Sequence, residues 1–356
     1  MDQGGGGRAA GPLTGRGVPR LAGPDIIEPV KPSRGRRLRR TVGILVAVVG
    51  GLMTLPPVVL LVVPSLQAMN RPFAFLTCTI PYIAIPLVIL GLGLFLSLPR
   101  RRRFVGIALI AVSLVAASAP WWRFPTTATP RPTAADLRVF SLNAERGQAD
   151  QDAILRLAQT ADILAFQENT PEFVQSLEDK GLLDDFPYRL GTAEYESYGT
   201  MIWSRTPLTL VATGKTRFTS LVVHTTVHDT VWTVSTLHAV SPKDSSGEWE
   251  QDGAAIADLL RPYVGERLVV VGDFNAIDEH LTMRRIRDVG LQDSMTGWPL
   301  AAGDGWQVSW PNDPRVPFLI RIDHALHSAS VDAWRPSYVT LSGTDHRAMI
   351  ATFTPH

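Results

Sequence analysis

The sequence predicts an α/β domain preceded by three transmembrane α-helices. Three apolar stretches without a charged residue lie in the first third of the 356-residue chain, at about 41–63, 73–98 and 104–120. From Leu137 onward, short apolar runs alternate with helical patterns, an order typical of α/β domains with helices outside the sheets. The sign of the net charge changes at about the same place. Residues 1–132 contain 16 Lys and Arg against 3 Asp and Glu, whereas residues 133–356 contain 18 Lys and Arg against 30 Asp and Glu. We therefore expect the two parts to face different environments.

The apolar stretches have the length of membrane spans. About 20 apolar residues cross a bilayer core, and only the third stretch is shorter than this. Prolines within the first two stretches would break soluble helices, but they are tolerated where neighbouring spans satisfy the freed backbone groups. The alternative is that the stretches are buried helices of a soluble protein.

Arginine clusters predict the orientation of the spans. Five arginines precede the first span within residues 34–40, and Arg100–Arg103 separate the second span from the third. The loop between the first and second spans carries only Arg71. Because basic loops stay in the cytoplasm, the sequence predicts a multi-pass protein of the cell membrane, with a cytoplasmic amino terminus and an extracytoplasmic carboxyl-terminal domain.

Two irregular segments flank the predicted spans. Residues 1–40 are rich in Gly, Pro and Arg, which predicts a disordered basic tail. Residues 123–136 are rich in Pro and Thr, which predicts a stiff spacer between the membrane and the folded domain. Residues 117–119 also resemble a small-residue cleavage site, and cleavage after Ala119 would release the second half of the chain.

The folded domain is predicted over residues 137–356. Apolar runs predict strands at 137–144, 162–169, 199–205, 230–239, 267–276 and 318–327. Amphipathic helices are predicted at 148–161 and 248–263. Polar residues of a few types recur where these runs give way to loops, at Asn143, Glu168, His238, Asp273, Asn275, Asp323, Asp345 and His346. A single such residue is commonly a solvated loop residue or a helix cap, but the recurrence at several strand ends indicates one shared site.

The motifs around these residues resemble those of the endonuclease/exonuclease/phosphatase superfamily, which comprises metal-dependent phosphoesterases of the DNase I and inositol-polyphosphate-phosphatase type. They occur in the family's order over about residues 137–354, as SLNA, FQE, STLH, GDFNA, RIDH and SGTDH. The resemblance implies a four-layer α/β sandwich (αββα), in which two sheets pack face to face with helices on both outer surfaces.

The resemblance also implies a metal site. Glu168 is then the principal ligand, with Asn143 and Asp345 nearby. A hard divalent cation suits oxygen ligands, so magnesium (Mg2+) or manganese (Mn2+) is expected. Zinc is the alternative, although neither an H-E-x-x-H motif nor clustered Cys and His ligands accompany these residues in the sequence.

Catalytic roles follow from the same resemblance. Asp273 orients and deprotonates the attacking water, and Asn275 donates to a non-bridging phosphate oxygen. His238 and His346 bracket the phosphoryl group, and Asp323 favours the imidazolium form of His346.

The substrate is less narrowly defined. A domain with an excess of acidic residues disfavours tight binding of nucleic acid, whereas a membrane anchor favours a phosphorylated lipid as substrate. Three spans followed by such a domain are similar to the membrane phosphatases associated with teicoplanin resistance (VanJ type), which implies hydrolysis of undecaprenyl pyrophosphate or a related lipid. The alternatives are a membrane-tethered extracellular nuclease or phosphodiesterase and a non-catalytic sensor or scaffold. Trp298, Trp306 and Trp310 could form a lipid-facing rim or belong to the core.

Overall fold

The computed structural model describes residues 1, 4, 33–122, 133–295, 308–313, 315, 320–334 and 336–356. Most of the predicted disordered tail and most of the predicted spacer lie outside these residues. Residues 34–40, predicted as part of the tail, are helical, because arginine is a good helix former and the helix of the first apolar stretch extends through them.

Residues 34–122 form a bundle of apolar helices with a docked connection. The helices are α1 (Arg34–Val62), α2 (Arg71–Thr77), α3 (Ala84–Ser97) and α4 (Phe104–Trp122), and 3₁₀ turns lie at Pro64–Ala68, Ile80–Tyr82 and Arg100–Arg102. Helix α3 packs between α1 and α4. The backbones touch at glycines, since a Cβ at Gly93 would lie 2.2 Å from the Ala47 nitrogen, and one at Gly106 would lie 2.5 Å from the Gly91 oxygen. Small residues at helix contacts are typical of membrane helices.

The second predicted span, 73–98, is not a single helix. It is divided between α2, a 3₁₀ turn and α3, and the segments Arg71–Tyr82 and Ala84–Ser97 meet at an angle of 72°. Pro81 and Pro86 lie around this break, and proline lacks the N–H that a continuous helix needs. Within the described residues, α1 is the one helix that is long and apolar enough to cross a membrane by itself, and the bent pair meets the criterion only as a unit.

The carboxyl-terminal domain contains two mixed sheets within its described residues. The first comprises seven strands in the order β11-β13-β1-β2-β4-β3, with β12 also paired to β13. Its strands are β1 (Leu137–Asn143), β2 (Ile163–Gln167), β3 (Tyr188–Thr192), β4 (Thr200–Ser204), β11 (Val331–Ala333), β12 (Ser337–Val339) and β13 (Ala348–Pro355). The second sheet has the order β5-β6-β7-β8-β10-β9, with β5 (Leu208–Thr213), β6 (Leu221–Val227), β7 (Thr230–His238), β8 (Leu268–Asp273), β9 (Gln292–Asp293) and β10 (Asp323–His327).

Helices cover the outer face of each sheet. Helices α5 (Gln151–Ala158), α6 (Pro171–Asp179) and α7 (Leu182–Asp185) pack on the first sheet, and α8 (Ser246–Leu260) and α9 (Leu281–Arg287) pack on the second. In β8, Val269 and Val271 face the other sheet, while Leu268 and Val270 face the helices. The first four residues of β8 are all apolar because both faces of the strand are buried. The predicted four-layer arrangement is present, since two mixed sheets pack face to face under outer helices.

Candidate active site

The site lies where the space between the sheets opens at one end. Asn143 continues the inward-facing positions of β1, and Asp273 continues those of β8 after Val269 and Val271. His238 ends β7, which runs parallel to β8 and pairs His238 with Asp273. Asp323 begins β10, which runs antiparallel to β8 and also lies opposite Asp273. Strand register therefore places all four side chains in one layer.

Two site residues need a left-handed backbone. Glu168 follows β2 with φ +57°, and Asn275 follows β8 with φ +46°. Alternation along β2 would direct position 168 towards the helices, because Leu164 and Phe166 face them. The left-handed turn instead returns the Glu168 carboxylate to the inter-sheet side, where it lies close to His238 and Asn143.

Asn143 orients two carboxylates. Its Nδ2 donates to Glu168 Oε1 at 3.1 Å and to Asp273 Oδ2 at 3.1 Å. Its Oδ1 accepts from the backbone N–H of Glu145 at 2.9 Å. In this arrangement Asn143 holds the two acidic groups in place, and its role as a metal ligand stays a prediction.

Asp273 is buried between polar partners. Its Oδ1 accepts from the Asn275 backbone N–H at 2.8 Å, and its Oδ2 lies 3.3 Å from Asn275 Nδ2. Burial raises the pKa of Asp273, and the positive charge of His346 opposes this increase. Asn275 Nδ2 also donates to the Ala239 carbonyl at 2.9 Å, so the contact of Asn275 with phosphate stays a prediction.

His346 and Asp323 form a buried pair. The Nδ1–H of His346 donates to Asp323 Oδ2 at 2.9 Å, and Nε2 lies 3.7 Å from Asp273 Oδ2. Burial opposes the imidazolium form, but the carboxylates of Asp323 and Asp273 outweigh it and raise the pKa of His346 to about 10. The sequence-based expectation that Asp323 favours the charged form of His346 agrees with this geometry.

His238 has the opposite environment. Its Nδ1 faces the Ser197 carbonyl at 3.1 Å, so Nδ1 carries the proton, and Nε2 points towards Asp273 at 3.7 Å. Its ring stacks on Phe218 with 4.4 Å between centroids. Burial lowers the pKa of His238, although Glu168 opposes the decrease. The two histidines therefore hold different charges at neutral pH, which sequence reasoning did not predict.

These groups surround a cleft of about 290 Å³ that also contains residues not expected from the sequence. Its lining includes Glu168, His238, Asp273, Asn275, Asp345 and His346, together with Glu145 and Trp310. The indole N–H of Trp310 donates to Asp345 Oδ2 at 2.8 Å, so this tryptophan holds a site carboxylate. Trp298 and Trp306, its proposed companions in a rim, lie outside the described residues. Glu145 lies in the loop that follows β1, two residues after Asn143, and this closeness to a motif residue was the available signal for its place in the site.

The cleft suits a hard divalent cation. Burial raises the pKa of Glu145, and repulsion from Asp345 and Glu168 raises it further. A cation held among carboxylates would relieve this repulsion, and oxygen donors are the ligands that Mg2+ and Mn2+ prefer. The buried group of Asp273, Asp323 and His346 also has ligand atoms within 4.8 Å of one another, but His346 donates to Asp323 there, so this group is a hydrogen-bonded set separate from the predicted metal ligands. The donor set therefore fits a divalent metal without defining which one.

A second acidic cluster near the site is structural. Asp293 Oδ2 lies 2.7 Å from His324 Nδ1, and Arg321 contacts both Asp293 and Asp278. The other ring nitrogen of His324 faces the Ala276 carbonyl at 2.8 Å. Because acceptors occupy both nitrogens, His324 cannot bind a metal in this arrangement.

Fold and site together define a two-sheet α/β domain with its carboxylates and histidines at the strand ends. The chain belongs to the Endonuclease/Exonuclease/phosphatase family, whose model matches residues 137–346. Members of this family hydrolyse phosphoester bonds, typically with divalent metals, and include phosphatases and nucleases.

Solved structures with similar folds include several from bacteria. The endonuclease/exonuclease/phosphatase from Beutenbergia cavernae DSM 12333 shares 17% identity over 62% of this chain and 72% of its own, with a TM-score of 0.48. Mannosyl-6-phosphatase Bt3783 from Bacteroides thetaiotaomicron VPI-5482 shares 16% identity over 61% of this chain and 99% of its own, with a TM-score of 0.47. Sphingomyelinase C from Streptomyces griseocarneus shares 17% identity over 61% of this chain and 99% of its own, with a TM-score of 0.44. None of the curated proteins matches the chain.

Proposed function

We propose that this chain is a membrane-anchored, divalent-metal-dependent phosphoesterase that hydrolyses a lipid pyrophosphate outside the cytoplasm, undecaprenyl pyrophosphate being the best candidate. The observation that carries the proposal is the cleft itself, which joins a family set of carboxylates and histidines to apolar residues of the amino-terminal segment. Hydrolysis of such a lipid would serve cell-wall lipid recycling and glycopeptide resistance, as the similarity to the teicoplanin-resistance phosphatases implies.

The surface of α1 supports the membrane anchor. Only 22% of its most apolar window is buried, and Leu45, Leu52 and Val62 are each more than half exposed. Large apolar side chains exposed along a whole helix favour a lipid environment over water. The two arginine clusters, before α1 and between α3 and α4, lie at the same end of the bundle and support a cytoplasmic amino terminus and an extracytoplasmic domain.

The proposed reaction starts at Asp273. Its carboxylate takes a proton from a water molecule, and the water oxygen forms a bond to the terminal phosphorus. The bond between that phosphorus and the bridging oxygen breaks, which yields inorganic phosphate and a lipid monophosphate. The raised pKa of Asp273 suits a general base near neutral pH.

The histidines act on either side of the phosphoryl group. Charged His346 donates from Nε2 to the oxygens that gain negative charge, while neutral His238, whose Nε2 points towards Asp273, can accept a hydrogen bond there from the attacking water. Glu168 and Asp345 would hold the divalent cation, which neutralises charge on the phosphate oxygens when bound.

Phosphate release from a substrate panel tests the proposal. The full-length protein in detergent with Mg2+ is given farnesyl pyrophosphate, undecaprenyl pyrophosphate, plasmid DNA and RNA. We expect phosphate release from the prenyl pyrophosphates and its loss in excess chelator. Glu168→Gln should lower the rate by about 100-fold or more, because it removes a ligand charge. Glu172→Gln, an exposed position on α6, should leave the rate unchanged.

Two results would contradict the proposal. Cleavage of plasmid DNA with no action on prenyl pyrophosphates would favour the nuclease alternative. Full activity of Glu168→Gln, or of the wild type in chelator, would contradict the metal assignment.

A further inference from the structure

The connection between α1 and α3 docks on the catalytic domain beside the cleft. The buried Gln67 accepts from the Leu281 backbone N–H at 2.8 Å and donates to the Glu279 carbonyl at 3.3 Å. The buried ring of His280 faces the Ala74 carbonyl through Nε2 at 3.0 Å. These contacts join segments more than 200 positions apart in the chain. Residues 64–82 are therefore held in place next to the start of α9.

Helix α2 supplies one side of the cleft. Phe75 and Cys78 line the same cavity as Glu168, Asp273 and His346. Phe75 is 40% exposed, although its neighbour Ala74 is completely buried in the contact with the domain. A large apolar side chain that faces open space inside a cleft is available to bind an apolar ligand.

The apolar side continues from α2 to the catalytic carboxylates. Cys78 and Trp310 pack against a small buried cluster formed by Ile277, Ile320 and Ile322. Trp310 also donates to Asp345, so the apolar surface ends at a predicted metal ligand. In the other direction, α2 leads through the turn at Ile80–Tyr82 into α3 of the apolar bundle. A molecule with a phosphate at one end and an apolar chain at the other matches this order of surfaces, from the site carboxylates along the apolar side of the cleft to the apolar helices.

We propose that this apolar wall, formed by Phe75, Cys78, Trp310, Ile320 and Ile322, is the subsite for the hydrocarbon chain of the substrate. The proposal rests on the proposed lipid pyrophosphatase function and assigns part of its specificity to the amino-terminal segment. Phe75 is then a specificity-determining residue, and the catalytic domain alone has an incomplete site. The occupant is the part of the prenyl chain beyond its first five carbons, because those carbons stay beside the pyrophosphate at the carboxylate end of the wall.

Chain-length dependence tests this subsite. The full-length protein in detergent with Mg2+ hydrolyses farnesyl pyrophosphate, with a 15-carbon chain, and isopentenyl pyrophosphate, with a 5-carbon chain, and kcat/KM is measured for both. We expect Phe75→Ala to lower kcat/KM for the longer substrate by about tenfold and to change the shorter one by less than about twofold, since only the longer chain covers the lost ring. Phe75→Leu should restore most of the preference.

Phe104→Ala is the matched control, because Phe104 is 66% exposed and does not line the cleft. An equal decrease for both substrates in Phe75→Ala, or an unchanged ratio of the two kcat/KM values, would overturn the subsite while leaving the proposed function standing. If the wild type hydrolyses neither prenyl pyrophosphate, the proposed function fails and the subsite fails with it. Retained hydrolysis of the shorter substrate shows that each variant is folded.

Discussion

At the scale of single residues, two histidines of the site differ in charge because their partners differ. The Nδ1 of His346 faces the carboxylate of Asp323, whereas the Nδ1 of His238 faces a neutral carbonyl. A carboxylate partner raises the pKa of His346, and burial without such a partner lowers the pKa of His238. Environments that separate two pKa values assign a proton donor and a proton acceptor within one site.

Asp323→Asn tests this assignment. The variant keeps an oxygen that can accept from Nδ1–H but removes the negative charge, so the pKa of His346 falls from about 10. Because the charged form is the active one, the alkaline limb of the pH profile of kcat/KM should move to lower pH. The kcat/KM at neutral pH should fall by about 100-fold, as expected for the loss of a positioned acid. Asp332→Asn, at an exposed position of β11, should change neither quantity. An alkaline limb that does not move would contradict the role of Asp323.

Sequence reasoning identified the residue types of the site but not their arrangement. The motifs GDFNA and SGTDH single out Asp273 and His346, since polar groups are costly to bury without a purpose. The left-handed turn at Glu168 carries no comparable signal, because glutamate rarely adopts positive φ. The contact of Trp310 with Asp345 could not be predicted either, since a tryptophan that orients a carboxylate looks the same in the sequence as a core aromatic residue.

At the scale of elements, the glycine that precedes Asp273 is required by the strand. Gly272 lies in β8 between β7 and β10 and has φ +145°. A Cβ at this position would lie 2.1 Å from the Leu237 carbonyl oxygen. The glycine therefore allows β8 to approach β7 closely just before it delivers Asp273 to the site.

Gly272→Ala should lower the free energy of unfolding by about 3 kcal/mol, through the clash and the strained backbone. It should also lower activity in the protein that remains folded, because Asp273 moves with β8. The midpoint of urea unfolding and the residual kcat/KM measure the two effects. Gly265→Ala is the control, since a Cβ there meets no atom within 4 Å. Equal midpoints for the two variants would contradict this account of β8.

The contact of α2 with the catalytic domain should weaken in acid. Burial lowers the pKa of His280 to about 4, and the Ala74 carbonyl opposes the decrease while His324 and Arg284 add to it. A histidine whose pKa is lower in the folded state contributes stability that is present above about pH 6.5 and is lost as pH falls towards 4. The full loss is on the order of 3 kcal/mol.

The thermal midpoint of the full chain in detergent measures this loss. Between pH 7.5 and pH 5, the midpoint should fall less in His280→Gln than in the wild type, because the variant has no imidazole to protonate. His228→Gln, at an exposed position, should behave like the wild type. Parallel decreases in all three proteins would show that other groups cause the acid sensitivity.

All six predicted strands overlap strands of the structure, whereas several others were missed, including the interior strand β13. The strands predicted at 137–144 and 267–276 correspond to β1 and β8, in which nearly every position is buried between neighbouring layers. Strands β5 and β6 were missed, since polar residues interrupt their apolar pattern where one face is exposed. The break near Pro81 was also missed, because proline is common in true membrane helices as well.

At the scale of the whole molecule, the uneven distribution of charge along the chain predicts its orientation in a membrane. The basic residues concentrate before and between the apolar helices, and the acidic excess belongs to the catalytic domain. A reporter enzyme that is active only after export should therefore be active when fused after His356. The same reporter should be inactive when fused at Arg103, in the basic loop between α3 and α4, because that loop is expected in the cytoplasm. The reverse pattern would invert the proposed orientation.

The docking of residues 64–82 could not have been predicted from composition. Gln67 is one polar residue in an apolar region, and nothing local to it specifies a partner at Leu281. Contacts at such separation depend on the complete fold, whereas spans and strands depend on patterns within 10 to 20 neighbouring positions.

This docking has a mechanical consequence. A domain joined to its anchor by a single peptide connection can swivel and present its opening in any direction. Here the hydrogen bonds at Gln67 and His280 form a second attachment, far along the chain from the connection that follows α4. With two attachments, the cleft has a fixed orientation relative to the amino-terminal helices, as the proposed subsite on α2 requires.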